Sequence, residues 1–336
     1  MRKALSGRRV LFLVHQYTGF IFAAYLIVIC TSGTALVLLE NQVDGYRDYL
    51  MLRVPVQAHK LSIGDVYAIA VRAHPQKHNR HILLSCPSGC TYDVSFDDGP
   101  NRLDVLVDPY TGAILKTIVW EHTTIGMLYG LHGSLFMGDT GETINAVAGL
   151  SAVVLGCTGL LLWRGRFLRR VNAYGLHRIF GVAAVAFLLM WALTAAGQTI
   201  WDEPPEPIPD LHSAANQTKP LSLDRTIAIG DAALPGELTF VGYANGGIVV
   251  RKRVPGDPDP YGYSYVAVDD AGRVRQVYDL RTFPPLWRIR AALYAVHIGA
   301  PGGLPLRSVY AVMGLAPAAL FLTAFLMWLG RLKRVV

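Results

Sequence analysis

Imidazole is the side chain with the most chemistry to offer in this sequence. Of ten histidines, four fall into two pairs when the chain is compared with itself. An offset of 165 residues places His132 on His297, and an offset of 162 places His15 on His177. The match extends beyond the histidines. At the first offset Leu128-Tyr129 falls on Leu293-Tyr294, Gly149-Leu150 on Gly314-Leu315, Thr158 on Thr323, Trp163 on Trp328 and Gly165-Arg166 on Gly330-Arg331. At the second, Gly19 falls on Gly181, each four residues past its histidine and so on the same helix face. Imidazole nitrogen is the usual axial ligand a protein offers to a b-type haem, and bis-histidine ligation needs two rings facing one iron. Two pairs at two depths suit two such haems, with His15, His177, His132 and His297 as axial ligands. The alternative is a structural or proton-relay role, since two copies of one ancestral unit would share a structural histidine as readily as a ligand.

The remaining histidines and the cysteines offer less. His122 precedes His132 by ten residues, about 100° around a helix of 3.6 residues per turn, so a straight helix cannot aim both at one iron. His74, His78 and His81 have metal-ligand spacing only if helical, and a strand is expected to begin near Ile82, which makes them a solvated surface. His59 and His212 carry no signal. Of the four cysteines, Cys30 and Cys157 lie in apolar stretches and read as small packed residues. Cys86 and Cys90, in Cys-Pro-Ser-Gly-Cys, read as a local disulfide in an oxidising compartment; a metal site is the other reading and lacks the paired second half of a zinc motif.

The elements that must position the four imidazoles are membrane helices. The chain is 52% apolar and only 16% charged. Four stretches, Val10–Leu39, Ile144–Trp163, Ile179–Trp201 and Ser308–Leu329, contain no Asp, Glu, Lys or Arg, and crossing a bilayer takes ~20 apolar residues. Every acid lies within Glu40–Glu142 or Asp202–Asp279. Basic residues alone flank the helices on the other side: Arg2, Lys3, Arg8 and Arg9, then Arg164 to Arg178, then Arg331, Lys333 and Arg334. Positive flanks mark the cytoplasmic side. The expectation is a multi-pass protein of the bacterial inner membrane with both termini cytoplasmic and lipid as its surroundings. The net charge of +7 reports that topology, and nucleic acid is excluded as a partner. The first apolar run is longer than a secretory h-region and reads as an uncleaved anchor.

Between the helices the outer segments repeat as well. Leu61-Ser62-Ile63 and Leu221-Ser222-Leu223 each open a short helix, ending near His74-Pro75 and Leu234-Pro235. Alternation around Val107–Gly112 and around Val268–Arg273 predicts two strand–turn–strand units. Short interfacial helices are expected at Ile125–Met137 and Trp287–Ile298, each carrying a paired histidine, and Gly-rich turns at Gly138–Gly141 and Gly299–Gly303 lead into the membrane. The predicted fold is membrane α-helical, with four transmembrane helices in two parallel repeats of helix, small α+β periplasmic module and helix. The predicted boundaries are a cytoplasmic N-terminus and first helix over 1–39, a first module over 40–124, and an interfacial helix with the second transmembrane helix over 125–163. A cytoplasmic loop follows over 164–178 and the third helix over 179–201. The second module covers 202–286, the second interfacial helix with the fourth transmembrane helix 287–329, and the cytoplasmic C-terminus 330–336.

This plan, the Leu-Ser opening, the Val-Asp-Pro-Tyr-Thr-Gly turn and the histidines at the starts of membrane helices resemble the PepSY-associated transmembrane helix family. Its members include iron-regulated membrane proteins and haem-containing siderophore reductases. The resemblance implies PepSY-like modules, two b-type haems on the four histidines, and oxidoreductase activity of the ferric-chelate (siderophore) reductase type. It implies electrons drawn from a cytoplasmic reductase or quinol and passed across the membrane to a ferric chelate outside. An acceptor pocket is expected where the modules meet the interfacial helices, near Trp120, His122, Trp287 and Arg288; ordinary anchoring of Trp and Arg at a membrane boundary is the competing reading.

The absences narrow the field. No acid lies in the apolar stretches to couple ion transport, which with unbroken helices weakens an importer. No Gly-x-Gly-x-x-Gly after a strand, Walker loop or flavodoxin-like segment is visible, and no nucleophile–base arrangement suggests a hydrolase. The rival from another class is a haem-free scaffold or sensor whose PepSY modules bind a peptide or protease.

Overall fold

A computed structural model describes residues 6–42, 52–84, 89–163, 172–200, 208, 211, 221–244, 246–259 and 261–332. The basic flanks at Arg2, Lys3, Arg164, Arg166, Arg169, Arg170, Lys333 and Arg334 lie outside these residues, as do Cys86 and His212. The chain divides into two units. One comprises residues 1–38, 128–202 and 296–336; the other comprises 39–127 and 203–295.

The first unit holds the four candidate membrane spans, over Gly7–Leu39, Gly138–Leu162, Ala173–Thr199 and Ala300–Arg331. They belong to α1 (Gly7–Gln42), α4 (Gly138–Leu162), α5 (Ala173–Ile200) and the pair α8 (Gly303–Gly314) and α9 (Ala316–Leu332). The fourth span is therefore not one unbroken helix. It is interrupted at Leu315, two residues before Pro317, whose ring has no N–H to donate and crowds the carbonyl one turn back. Small residues allow close approach between helices: a Cβ at Gly314 would run into the Thr34 hydroxyl of α1.

Two shorter helices deliver the remaining histidines, α3 (Thr124–Ser134) and α7 (Pro285–His297). The turn after α3 falls on Leu135 and Phe136, with φ of 51° and 60°. The stretch Gly138–Gly141, expected as that turn, is instead the first turn of α4. The reason is steric, because a Cβ at Gly141 would collide with the Ser134 carbonyl, so glycine lets α4 start against the end of α3.

The second unit is one antiparallel sheet with two helices. α2 (Ile63–Ala73) precedes β1 (His78–Leu83), β2 (Tyr92–Asp98), β3 (Asn101–Val107) and β4 (Ile114–Val119). α6 (Leu223–Ala233) precedes β5 (Glu237–Ala244), β6 (Gly247–Arg253), β7 (Ser264–Asp269) and β8 (Val274–Tyr278). The expectation of two separate modules changes here. The strands run in the order β4-β3-β2-β1-β5-β6-β7-β8, because β1 pairs with β5 through His81↔Gly242, Ile82↔Val241 and Leu83↔Phe240. Each half would otherwise expose a strand edge, and joining them satisfies both.

Local chemistry accounts for the elements. Ser62 caps α2 by accepting the Asp65 N–H. At the predicted hairpins, the Asp108 carboxylate accepts the Tyr110 N–H at 2.8 Å before Gly112 (φ 75°), and Asp269 accepts the Arg273 N–H at 2.8 Å after Gly272 (φ 78°). One core lies between sheet and helices: Val66 and Ala70 of α2 and Ile227 of α6 pack with Ile82, Val94, Phe96, Val105, Val241 and Val250. The Asp224 carboxylate accepts the Gly64 N–H at 2.8 Å and the Ser62 hydroxyl at 2.8 Å, tying α6 to the start of α2.

Candidate functional site

The four paired histidines meet as two pairs. His15 of α1 faces His177 of α5 with ring centroids 6.3 Å apart and ring planes at 89°. His132, near the end of α3, faces His297, the last residue of α7, at 6.1 Å and 54°.

Each ring is held from a neighbouring helix in the same way. His15 Nδ1 meets the Thr158 hydroxyl of α4 at 2.8 Å, and His177 Nδ1 meets the Thr323 hydroxyl of α9 at 3.0 Å. His132 Nδ1 meets Ser32 of α1 at 3.2 Å, and His297 Nδ1 meets Thr194 of α5 at 2.8 Å. All four hydroxyls donate to carbonyls of their own helices: Thr158 to Val154 at 2.6 Å, Thr323 to Ala319 at 2.9 Å, Ser32 to Ile29 at 2.9 Å and Thr194 to Met190 at 2.8 Å. A hydroxyl has one proton, so toward the imidazole each oxygen accepts. Backbone carbonyls reinforce this. His177 Nδ1 donates to Leu320 O at 3.0 Å and His132 Nδ1 to Ile29 O at 2.9 Å. Nδ1 thus carries the proton, and Nε2 is left as the nitrogen with the lone pair.

Sequence comparison had matched Thr158 with Thr323 without assigning them a task, and it missed Ser32 and Thr194. The signal was present, since Ser32 and Thr194 are also 162 residues apart, but hydroxyls in membrane helices usually bond their own backbone and draw no notice.

Space around the rings is set by small residues. A Cβ at Gly33 would lie 2.8 Å from His132 Cε1, and one at Gly159 would lie 3.3 Å from His15 Cε1. A cavity of about 430 Å³ opens at His15 and His177. Gly19, Gly181, Phe20 and Phe321 give it apolar walls, and Arg8, Arg178 and Arg331 also line it. Arg8 donates to the Leu162 carbonyl at 3.1 Å, and Arg331 lies over the Phe12 ring at 5.1 Å. At the other pair, Asn145 donates to the His132 and Gly133 carbonyls at 2.8 and 2.7 Å, and Trp191 Nε1 to the His297 carbonyl at 3.1 Å. These bonds pin the helix ends from which the rings project.

The other expected residues take separate places. Trp120 and His122 form a 3₁₀ turn directly after β4, so His122 does not share a helix with His132. Trp120 carries the Arg102 guanidinium over its face at 4.3 Å. Trp287 and Arg288 sit in the first turn of α7. None of these four lines the cavity at His15 and His177. His74 closes α2, while His78 and His81 lie on β1. Among the described residues no group of three or more His, Cys, Asp or Glu forms a metal cluster. Cys90 is disulfide-bonded, and Cys30 and Cys157 are free.

Two imidazoles per pair, each anchored through Nδ1, have Nε2 as the remaining nitrogen for an electron acceptor, which is the chemistry of axial metal ligation. No curated protein matches the sequence. Residues 12–331, which include all four histidines, three of the apolar spans and most of the first, match the family described as PepSY-associated TM region, and the chain is a membrane protein belonging to that family.

Proposed function

We propose that this protein is a two-haem redox protein that moves electrons across a bacterial inner membrane to an external acceptor, with a ferric siderophore or similar ferric chelate as the acceptor class. The observation that carries this reading is the spacing of the two histidine pairs. An imidazole nitrogen bonds a transition metal at ~2 Å, so two rings on opposite sides of one iron have centroids about 6 Å apart. The pairs stand at 6.3 and 6.1 Å.

The chain's own groups fit b-type haem in three further ways. The Nδ1 anchors leave Nε2 basic and oriented at all four positions. The cavity at His15 and His177 is apolar where a porphyrin face would lie, and its three arginines suit the two carboxylates that such a macrocycle carries. Gly19 and Gly181 leave open room beside the rings, where a Cβ would meet nothing nearer than 3.6 Å and 3.8 Å. When bound, haem supplies one-electron chemistry that no side chain here provides.

The topology belongs to the same proposal. The two helix–module–helix halves are parallel repeats, the sheet unit faces the periplasm, and the His15/His177 pair lies nearer the cytoplasm. Electrons enter from a cytoplasmic reductase or quinol, and the acceptor is held near Trp120, His122, Trp287 and Arg288. Reduction to Fe(II) loosens a chelate built for Fe(III).

Purified protein in detergent, from cells supplied with haem precursor, should show haem bands that sharpen and shift with dithionite. His15→Ala and His132→Ala should each remove about half of the bound haem, as ligand loss at one of two independent centres requires. A colourless wild-type protein would leave the scaffold reading in its place.

A further inference from the structure

The two halves of the chain differ where helices meet around the His15/His177 cavity. On α1, Phe12, Gln16 and Phe20 recur at every fourth residue and share one face, centred about 100° around the helix from His15. That face turns toward α9. Phe20 stands 6.4 Å from Phe321 and 6.2 Å from Trp328, and Arg331 lies over Phe12 at 5.1 Å. Phe325 extends the cluster, 6.0 Å from Phe321 and 5.7 Å from Trp328. Phe20, Phe321 and Trp328 line the cavity, whereas Phe325 does not and is 37% exposed. The ring cluster therefore runs from the cavity wall to the lipid side of the bundle.

The repeat-related seam is built otherwise. The offset of 165 puts Gly156 and Leu160 of α4 where α9 has Phe321 and Phe325, and the offset of 162 puts Arg178 and Val182 of α5 where α1 has Gln16 and Phe20. There the helices close on the glycine, since a Cβ at Gly156 would lie 3.0 Å from Leu189 and 3.3 Å from Val185. The α1–α9 seam is spanned by rings instead, with one carboxamide among them. Gln16 lines the cavity, and its amide has no hydrogen-bond partner among the described residues. A polar group in a membrane span costs free energy unless something pairs with it. An amide donates through N–H and accepts through C=O, so it can pair with a carbonyl or with a hydroxyl; Arg178, at the equivalent place, can only donate. Aromatic walls favour a flat ring between them.

We propose that the α1–α9 seam binds a membrane quinol, with Gln16 pairing with its head group and Phe20, Phe321 and Trp328 flanking its ring, while the isoprenoid tail passes Phe325 into lipid. Gln16 follows His15 directly but lies on another face of α1, which leaves the space between His15 and His177 to a macrocycle. The binding site stands without the haem reading; its use as the electron entry rests on that reading and selects quinol over a cytoplasmic reductase as donor. One quinol serves two ferric centres. It loses two electrons and two protons to become the quinone, the electrons reduce two ferric haems to ferrous, and the protons pass to water at the end of the cavity lined by Arg8, Arg178 and Arg331.

Two experiments on the full-length protein in lipid nanodiscs test this. In the first, a photoreactive azidoquinone is cross-linked with and without excess decylubiquinone, and labelled peptides are mapped by mass spectrometry. Label should fall within residues 12–20 and 321–328 and be displaced by the competitor. Label elsewhere only, or label that the competitor leaves in place, overturns the site whether or not haem is bound. In the second, decylubiquinol is mixed with oxidised, haem-loaded protein and the ferrous bands are followed in time. Gln16→Leu leaves the head group unpaired and should slow reduction about tenfold, with haem content and reduction by dithionite unchanged. Tyr17→Ala, on a face of α1 where the side chain is 61% exposed, should match the wild type. Wild-type protein that dithionite reduces and decylubiquinol does not, or Gln16→Leu at the wild-type rate, overturns the proposal and leaves the haem reading standing. Protein that binds no haem removes the haem reading instead, and the azidoquinone label then decides the site by itself.

Discussion

At the scale of single residues, burial sets two opposing titrations in the sheet. Asp93 is 1% exposed, its Oδ1 has no hydrogen-bond partner among the described residues, and burial followed by the nearby Asp104 charge pushes its carboxyl well above the usual range. Asp104 takes the favourable contacts, accepting the Ser95 hydroxyl at 2.6 Å and the Arg102 guanidinium at 2.7 Å. His81, stacked on Phe240 at 4.8 Å, is lowered to about 3, chiefly by burial and then by the Arg102 and Arg80 charges. The signs follow from proton counts. Folded His81 holds fewer protons than unfolded His81 between pH 3 and 6.5, so its contribution is present above pH 6.5 and lost as pH falls. Folded Asp93 holds more than its unfolded counterpart from pH 3.8 upward, so it costs stability as pH rises toward its shifted value. Each contributes a slope of about 1.4 kcal/mol per pH unit in its window, and the two oppose one another where the windows overlap. Asp93→Asn should raise the thermal midpoint above pH 6.5 and expose the acid lability of His81; His81→Leu should do the reverse. Unfolding midpoints measured from pH 4 to 8 check both.

Helices decide what the imidazoles can reach. Gly33 is the position in α1 that leaves room for the His132 ring, and Gly33→Ala would force backbone or ring to move, since the added methyl lies 2.8 Å from Cε1. Under the proposed two-haem reading its expected outcome is loss of about half the bound haem, with helical content by circular dichroism unchanged and the His15/His177 bands retained. Leu135 and Phe136, with left-handed φ of 51° and 60°, hold the turn between α3 and α4 at a cost of about 1–3 kcal/mol each. The Asn145 side chain secures that turn with its two bonds to the His132 and Gly133 carbonyls. Asn145→Leu should therefore lower the midpoint, because the strained turn loses its clamp, and under the proposed two-haem reading should broaden the haem spectrum assigned to His132 and His297.

At the scale of the whole molecule, the β1–β5 seam makes two halves of the sheet one folding unit. Ile82 and Val241 face each other across it, both fully buried in a core that also draws on α2 and α6. Ile82→Ala should cost about 2–5 kcal/mol, and hydrogen exchange should report equal loss of protection in β2–β3 and β6–β7. Loss confined to the first half would mean that the halves fold separately.

Much of this was legible from the order of residues alone. Apolar runs without charges are dictated by the hydrocarbon thickness, so four spans could be read directly, as could the hairpins, whose Asp and Gly serve local backbone needs. The histidine pairs were legible because matching residues recur around them at offsets of 165 and 162. Three features required the folded chain. The fusion of two modules into one sheet depends on which edges meet. The break at Leu315 depends on a proline inside an apolar run that composition reads as continuous. The hydroxyl anchors depend on neighbours a hundred or more residues away, such as Thr158 for His15. Periodicity and composition record what a segment needs from its solvent; which atoms it meets on another helix is decided only when the helices pack.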